Sequence, residues 1–223
     1  MHIGLIGGIG PAATIAYYNR LISAFKSAQM PLQLTIVHAD VAALASNATN
    51  KQNQTQAEIF AKHIRQLEGA GCDVAAITAL TGHFCFSETQ QISALPLVSA
   101  IAPIDRYCVE SGITTIGLLG SPPVLATHLF QQLENVNTVV PQDDIDQLGA
   151  AYMNMATTGI CTNEMRTLFF DAGTKMIEQQ NADAVLLAGT DLGLAFDGHT
   201  PGFATIDALD VHVAKLVSLT TGQ

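Results

Sequence analysis

The residues best suited to chemistry fall in three short segments: "IGLIGGIGPAAT" (Ile3 to Thr14), "TALTGH" (Thr78 to His83) and "AGTDLG" (Ala188 to Gly193). His83 carries an imidazole whose ordinary pKa lies near neutrality, so it is a candidate acid/base. Asp191 becomes a candidate base when burial raises its pKa. Thr78, Thr81 and Thr190 offer hydroxyls beside small residues, an arrangement that hydrogen-bonds a small polar ligand. Each also has a plain structural reading: a threonine caps the helix that follows it, and a lone histidine is more often a satisfied part of a core. In the first segment, Gly8, Ile9 and Gly10 precede Pro11, which suits the first turn of a helix. Backbone N–H groups at such a helix start attract an anion, including a carboxylate.

Gly8, Gly10 and Ala13 also spell G-x-G-x-x-A, a weak dinucleotide fingerprint. That reading needs an acidic residue ~20 positions on, at the end of the second strand. Asp40 ends that strand but lies well past this spacing. The four cysteines, Cys72, Cys85, Cys108 and Cys161, form no CxxC pair and no zinc-spaced cluster, so no metal site is expected. They read as free thiols in a reducing compartment.

These segments must be held by regular elements. A strand fits His2 to Ile6, and a helix fits Ala12 to Ser27. A second strand fits Leu32 to Asp40, followed by a polar loop, "SNATNKQNQTQ" (Ser46 to Gln56). A helix fits Ala57 to Glu68, and a third strand fits Asp73 to Ala79, with Cys85 expected in the next helix. Strands and helices alternating at these lengths predict parallel βαβ units and an α/β fold. The apolar runs lack clean alternation, as expected of strands buried on both faces.

The pattern then restarts. "IGLIGGIGPAATIAYYNRL" (Ile3 to Leu21) aligns without a gap on "IGLLGSPPVLATHLFQQLE" (Ile116 to Glu134), an offset of 113 residues. Ile3, Gly4, Leu5, Gly7, Ala13 and Thr14 are identical to their counterparts. "DVAAITALTGH" (Asp73 to His83) pairs with "DAVLLAGTDLG" (Asp183 to Gly193) at an offset of 110. We infer two related α/β halves, residues 1–98 and 99–223, with the last helix packing back on the first half. In parallel sheets ligands bind beyond the carboxyl ends of the strands. Two facing halves would set Gly7 to Gly10, Thr78 to His83, Gly120 to Pro123 and Ala188 to Asp191 around one cleft, adding Ser121 to the ligand-binding candidates.

The chain has 223 residues, 48% of them hydrophobic and 13% charged, with a net charge of −10. Nine Lys and Arg residues form no basic stripe, which argues against a nucleic-acid partner. No apolar run approaches the ~20 residues of a membrane helix, and Met1 runs straight into a strand. A cytoplasmic location is expected.

The opening "GLIGGIGPAAT" resembles the start of the aspartate/glutamate racemase family, in its aspartate-racemase branch. "EGAGCDVAAITALTGH" (Glu68 to His83), "NADAVLLAGTDL" (Asn181 to Leu192) and "IDALDVH" (Ile206 to His212) resemble its two active-site segments and its closing segment. The resemblance implies two pseudo-symmetric three-layer α/β domains with parallel sheets and the active site between them. It implies cofactor-independent, PLP-free isomerase chemistry on a small acidic amino acid such as aspartate or glutamate, in a homodimer. A racemase takes the Cα proton from one face and returns one to the other, so it needs an acid/base on each side. The family places a cysteine in each half for this. Here the first cysteine position is Ala79, followed by Leu80, and the second is Gly189. Thr81, His83 and Thr190 remain, and Asp191 stands where the branch has Glu. His83 and Asp191 are then the candidates to replace the thiols, and Lys51 is the candidate to hold a substrate carboxylate. The alternative is a non-catalytic or altered-chemistry binder of a small carboxylate in the same cleft.

Overall fold

The computed structural model describes residues 1–221. They form two compact units: Met1–Ala100 together with the chain from His212 onward, and Ile101–Val211. Each is a three-layer α/β unit built on one parallel four-stranded sheet. Among these residues, no helix is long and apolar enough to cross a membrane.

In unit 1 the elements run β1 (His2–Gly7), α1 (Pro11–Ser27), β2 (Gln33–His38), α2 (Val41–Thr49), α3 (Asn53–Gly69), β3 (Val74–Ile77), a 3-10 turn (Leu80–Cys85), α4 (Phe86–Ile92) and β4 (Leu97–Val98). In unit 2 they run α5 (Ala102–Glu110), β5 (Thr115–Gly120), α6 (Pro122–Ala126), a 3-10 turn (Leu129–Gln131), β6 (Asn137–Val139), α7 (Ile145–Thr158), α8 (Asn163–Gln180), β7 (Ala184–Ala188), a 3-10 turn (Thr190–Leu192), α9 (Gly193–Phe196) and β8 (Thr205–Asp207). Helix α10 (Ala208–Thr221) starts in unit 2 and from His212 belongs to unit 1.

The two sheets have the same strand order, β2-β1-β3-β4 and β6-β5-β7-β8. The register repeats as well: Ile3 pairs with Val74, and Ile116 pairs with Ala184. Those residues are related by the offsets of 113 and 110 seen in the sequence. Even the strand starts agree. The Asp73 carboxylate accepts from the His2 N–H at 2.6 Å, and the Asp183 carboxylate accepts from the Thr115 N–H at 2.9 Å. The identity Gly4/Gly117 has a packing cause. A Cβ at Gly4 would lie 2.9 Å from the Leu67 side chain, and one at Gly117 would lie 3.0 Å from Met176 Sδ. Both glycines let α3 or α8 sit close against the central strand. Strands β1, β3, β5 and β7 are buried on both faces, which accounts for their unbroken apolar runs.

One expectation is corrected. The polar segment 46–56 is not a loop, because α2 runs to Thr49 and α3 begins at Asn53. Two of its amide side chains pair: Asn47 Nδ2 donates to Gln56 Oε1 at 2.8 Å in a buried contact that ties α2 to α3. Asp40 starts α2, its side chain accepting from the N–H groups of Ala42 (2.7 Å) and Ala43 (3.0 Å). That carboxylate is therefore a helix cap.

Unit 1 also buries two histidines completely. His83 Nε2 accepts from the Ala100 N–H at 3.0 Å, which places the ring proton on Nδ1, 3.2 Å from the Ala79 carbonyl oxygen. The ring stacks on Phe86 at 5.3 Å between centroids. His212 Nδ1 hydrogen-bonds the buried Tyr17 hydroxyl at 2.8 Å, joining α1 to α10. Burial pulls the His83 pKa down to about 4, against the pull of the Ala79 and Leu80 carbonyls. Burial and then the neighbouring His83 ring pull His212 down to about 3, with the Val98 carbonyl acting the other way.

A histidine held neutral in the fold, but free to charge when unfolded, destabilises the fold as acid is added. Stability is full above the unfolded pKa of ~6.5 and falls as pH drops toward 4, by about 1.4 kcal/mol per pH unit for each histidine. Denaturant unfolding between pH 7.5 and 4.5 should show this slope. His83→Gln should lower stability at pH 7.5 yet make the slope shallower by about one proton's worth. An unchanged slope would contradict the account.

Candidate functional site

The candidate residues cluster where strands end. In unit 1, β1 runs into the turn Gly7–Gly10, in which Gly8 (φ 83°) and Gly10 (φ 114°) adopt conformations that favour glycine. The Gly8 N–H donates to Thr14 Oγ1 at 2.9 Å, and that hydroxyl donates to the Gly10 carbonyl at 3.1 Å. Gly8 is thus not a free donor for a ligand, contrary to expectation. Among the described residues, the N–H groups of Ile9 and Gly10 make no hydrogen bond. Thr78 is fully buried and donates to the Ile6 carbonyl at 3.0 Å, locking the end of β3 to β1.

Ala79 and Gly189 occupy equivalent places. Each is extended, with φ of −130° and −153°, and each precedes a 3-10 turn. The Gly82 N–H donates to the Ala79 carbonyl at 3.0 Å, and the Leu192 N–H donates to the Gly189 carbonyl at 2.9 Å. The offset of 110 therefore holds down to single hydrogen bonds. Thr81 corresponds to Asp191 and is half-buried in its turn.

In unit 2, Gly120 pairs with Ala188, so Ser121 and Gly189 leave adjacent strands side by side. Ser121 (4% exposed), Thr190 (8%) and Asp191 (5%) are all buried, but each retains a little surface at this edge. The residue that sequence reasoning missed is Tyr152. It lies on α7, on the core face that also carries Leu148 and Met155. Its ring covers Gly189: a Cβ there would meet Tyr152 Cε2 at 2.4 Å and its hydroxyl oxygen at 2.7 Å. The hydroxyl donates to Asp191 Oδ2 at 3.4 Å. Burial first, then the Asp191 charge, push the Tyr152 pKa well above its ordinary value, so the phenol stays protonated. The only sequence signal for it was helical periodicity, which marks a core aromatic and nothing more.

Two other candidates lie in different settings. His83 was expected as an acid/base, but both its ring nitrogens are engaged by backbone and the ring is fully buried. This gives it a structural role. Lys51 lies exposed in the turn between α2 and α3, with φ 54°. Cys85 is not in the following helix; it closes the 3-10 turn in the core of unit 1. Burial pushes its thiol up to about 11, and that of Cys108 likewise to about 11, so neither is an activated nucleophile. Among the described residues no group of three His, Cys, Asp or Glu side chains gathers as a metal site. A cavity of about 260 Å³ between α7 and α8 is lined by Asp143, Asp144 and Lys175 but by none of the strand-end candidates.

The contact between Tyr152 and position 189 predicts a specific cost. Gly189→Ala should destabilise the protein by about 1–3 kcal/mol, as overpacking does. Tyr152→Ala should relieve that cost when the two changes are combined. Denaturant midpoints of the four proteins in this cycle measure it, and additive effects would contradict the contact.

Comparison with known proteins agrees with this geometry. An aspartate racemase homologue from Pyrococcus horikoshii shares the fold at a TM-score of 0.82 and 24% identity, covering 99% of both chains. The aspartate racemase of Picrophilus torridus gives 0.75 at 21% identity, covering 99% of this chain and 95% of that one. Glutamate racemase from Francisella tularensis, solved with D-glutamate, gives 0.66 at 16% identity over 99% of this chain and 81% of that one. A family model described as Asp/Glu/Hydantoin racemase matches residues 6–216. With two parallel sheets of identical order and a match spanning nearly its whole length, the chain belongs to the Asp/Glu/hydantoin racemase family.

Proposed function

We propose that this chain binds a small acidic amino acid, such as aspartate or glutamate, without inverting it by paired thiols. The observation that carries this reading is the pair of strand-end positions. Ala79 has no proton to exchange, and Gly189 has no side chain and lies beneath Tyr152. A two-sided proton transfer needs a titrating group on each side of the substrate. In unit 1 the nearest candidate in sequence, His83, has its lone pair committed to the Ala100 N–H. In unit 2 the titrating groups are Asp191 and Tyr152.

The ligand class rests on the family and on the polar edge formed by Ser121, Thr190 and Asp191 in unit 2. The glutamate racemase neighbour solved with D-glutamate supports the same class. Cofactor-free binding, a cytoplasmic location and the absence of a nucleic-acid partner belong to this reading, the last supported by the net charge of −10. A homodimer belongs to it too. Ile15, Tyr18 and Ile22 stand exposed at helical spacing on α1, an apolar stripe that a second copy would cover.

Isothermal titration calorimetry with the L- and D-forms of aspartate and glutamate tests the ligand class. At least one of the four should bind with a dissociation constant in the micromolar to millimolar range. No heat with any of them, at millimolar concentrations, would overturn the reading.

A further inference from the structure

We propose that Tyr152 is a specificity-determining residue of the ligand site in unit 2. Its phenol takes the volume a side chain at position 189 would fill and offers its hydroxyl to a ligand carboxylate, while the adjoining Asp191 carboxylate takes the ligand's α-ammonium. This rests on the amino-acid reading above and deepens it, because it names the groups that would tell an amino acid from an amine-free dicarboxylate.

Three observations carry it. The first is steric: the Tyr152 ring edge and hydroxyl stand 2.4–2.8 Å from where a Cβ of residue 189 would be. Position 189 directly follows β7 at the carboxyl end of the sheet, where ligands of parallel α/β sheets bind. A group standing in that volume faces what a side chain there would face. The second is chemical. The phenol remains a donor, because burial and the neighbouring carboxylate both oppose its ionisation. The third is the pairing itself. The hydroxyl and Asp191 Oδ2 are 3.4 Å apart, longer than the ~2.7–2.8 Å usual between oxygens. A ligand acceptor at ordinary distance can therefore draw the hydroxyl proton to itself. A neutral donor beside a carboxylate matches a zwitterion, whose carboxylate and ammonium sit on one carbon. A dicarboxylate without the amine would set a negative charge against Asp191.

The test has two arms. In calorimetry, Tyr152→Phe keeps the ring and removes the donor, so L-aspartate binding should weaken about tenfold or more, the loss expected of one hydrogen bond to a charged group. The melting temperature of the free protein should stay near wild type. Asp191→Asn should erase the preference for L-aspartate over succinate. If the wild-type protein binds L-aspartate and Tyr152→Phe binds it within twofold, or the preference survives Asp191→Asn, the proposal is overturned and the ligand class stands.

The second arm needs no ligand. In the double variant Tyr152→Ala/Gly189→Cys, the new thiol should be alkylated by iodoacetamide in the folded protein. Peptide mass spectrometry distinguishes it from Cys161. A thiol at 189 that stays unreactive until unfolding would show that this volume does not open to a ligand, and would overturn the proposal whatever the calorimetry gives.

Discussion

Two side chains cannot share one volume, and that constraint governs what unit 2 is able to do. Residue 189 and Tyr152 compete for the space at the carboxyl end of β7. With glycine at 189 the phenol fits; with any Cβ there it must move. In the family this chain belongs to, the resemblance places a cysteine at that position. This chain has glycine there, and the space that a side chain at 189 would take is filled by Tyr152 from α7.

The rest of the architecture presents this edge rather than acting at it. Parallel strands in the same order and register bring Ala79 and Gly189 to equivalent ends of β3 and β7. The aspartates at 73 and 183 pin the opposite ends of those strands to the first residues of β1 and β5. Thr78 ties the end of β3 to β1 through the Ile6 carbonyl, and Thr14 closes the turn after β1 through the Gly10 carbonyl. Beneath them, His83 and His212 are fixed as neutral rings, each with a hydrogen bond that stops it from wandering. Thr78 and His83, two of the chemistry candidates of unit 1, are thus spent on holding backbone.

Much of this fold was legible in the sequence because duplication leaves a double trace. The offsets of 113 and 110 are the same numbers that appear in the strand registers. The glycines at 4 and 117 survive in both halves because a helix presses on each. What stayed illegible depended on partners far apart in the chain. The segment 46–56 reads as loop by composition, and the buried Asn47–Gln56 pair that ties its two helices together is not visible there. His83 reads as chemistry until the Ala100 N–H, 17 residues on, is seen to occupy its lone pair. Tyr152 reads as core, since nothing in α7 announces a glycine and a carboxylate brought to it from 37 and 39 residues away. Residue types were correct indicators of capability; which capability is used was decided by contacts.

The proposed reading extends to one point that a single experiment decides: with alanine and glycine at positions 79 and 189, no group of this chain removes the Cα proton of a bound amino acid. The most direct measurement is proton NMR of L-aspartate and L-glutamate in deuterium oxide with the purified protein. A base that removes the Cα proton must exchange it with solvent deuterium, whatever residue it is. The account predicts that the Cα–H signal persists at its buffer-only rate and that no D-enantiomer accumulates. Protein-dependent loss of that signal would contradict it, and would mean that a group other than a cysteine drives the chemistry.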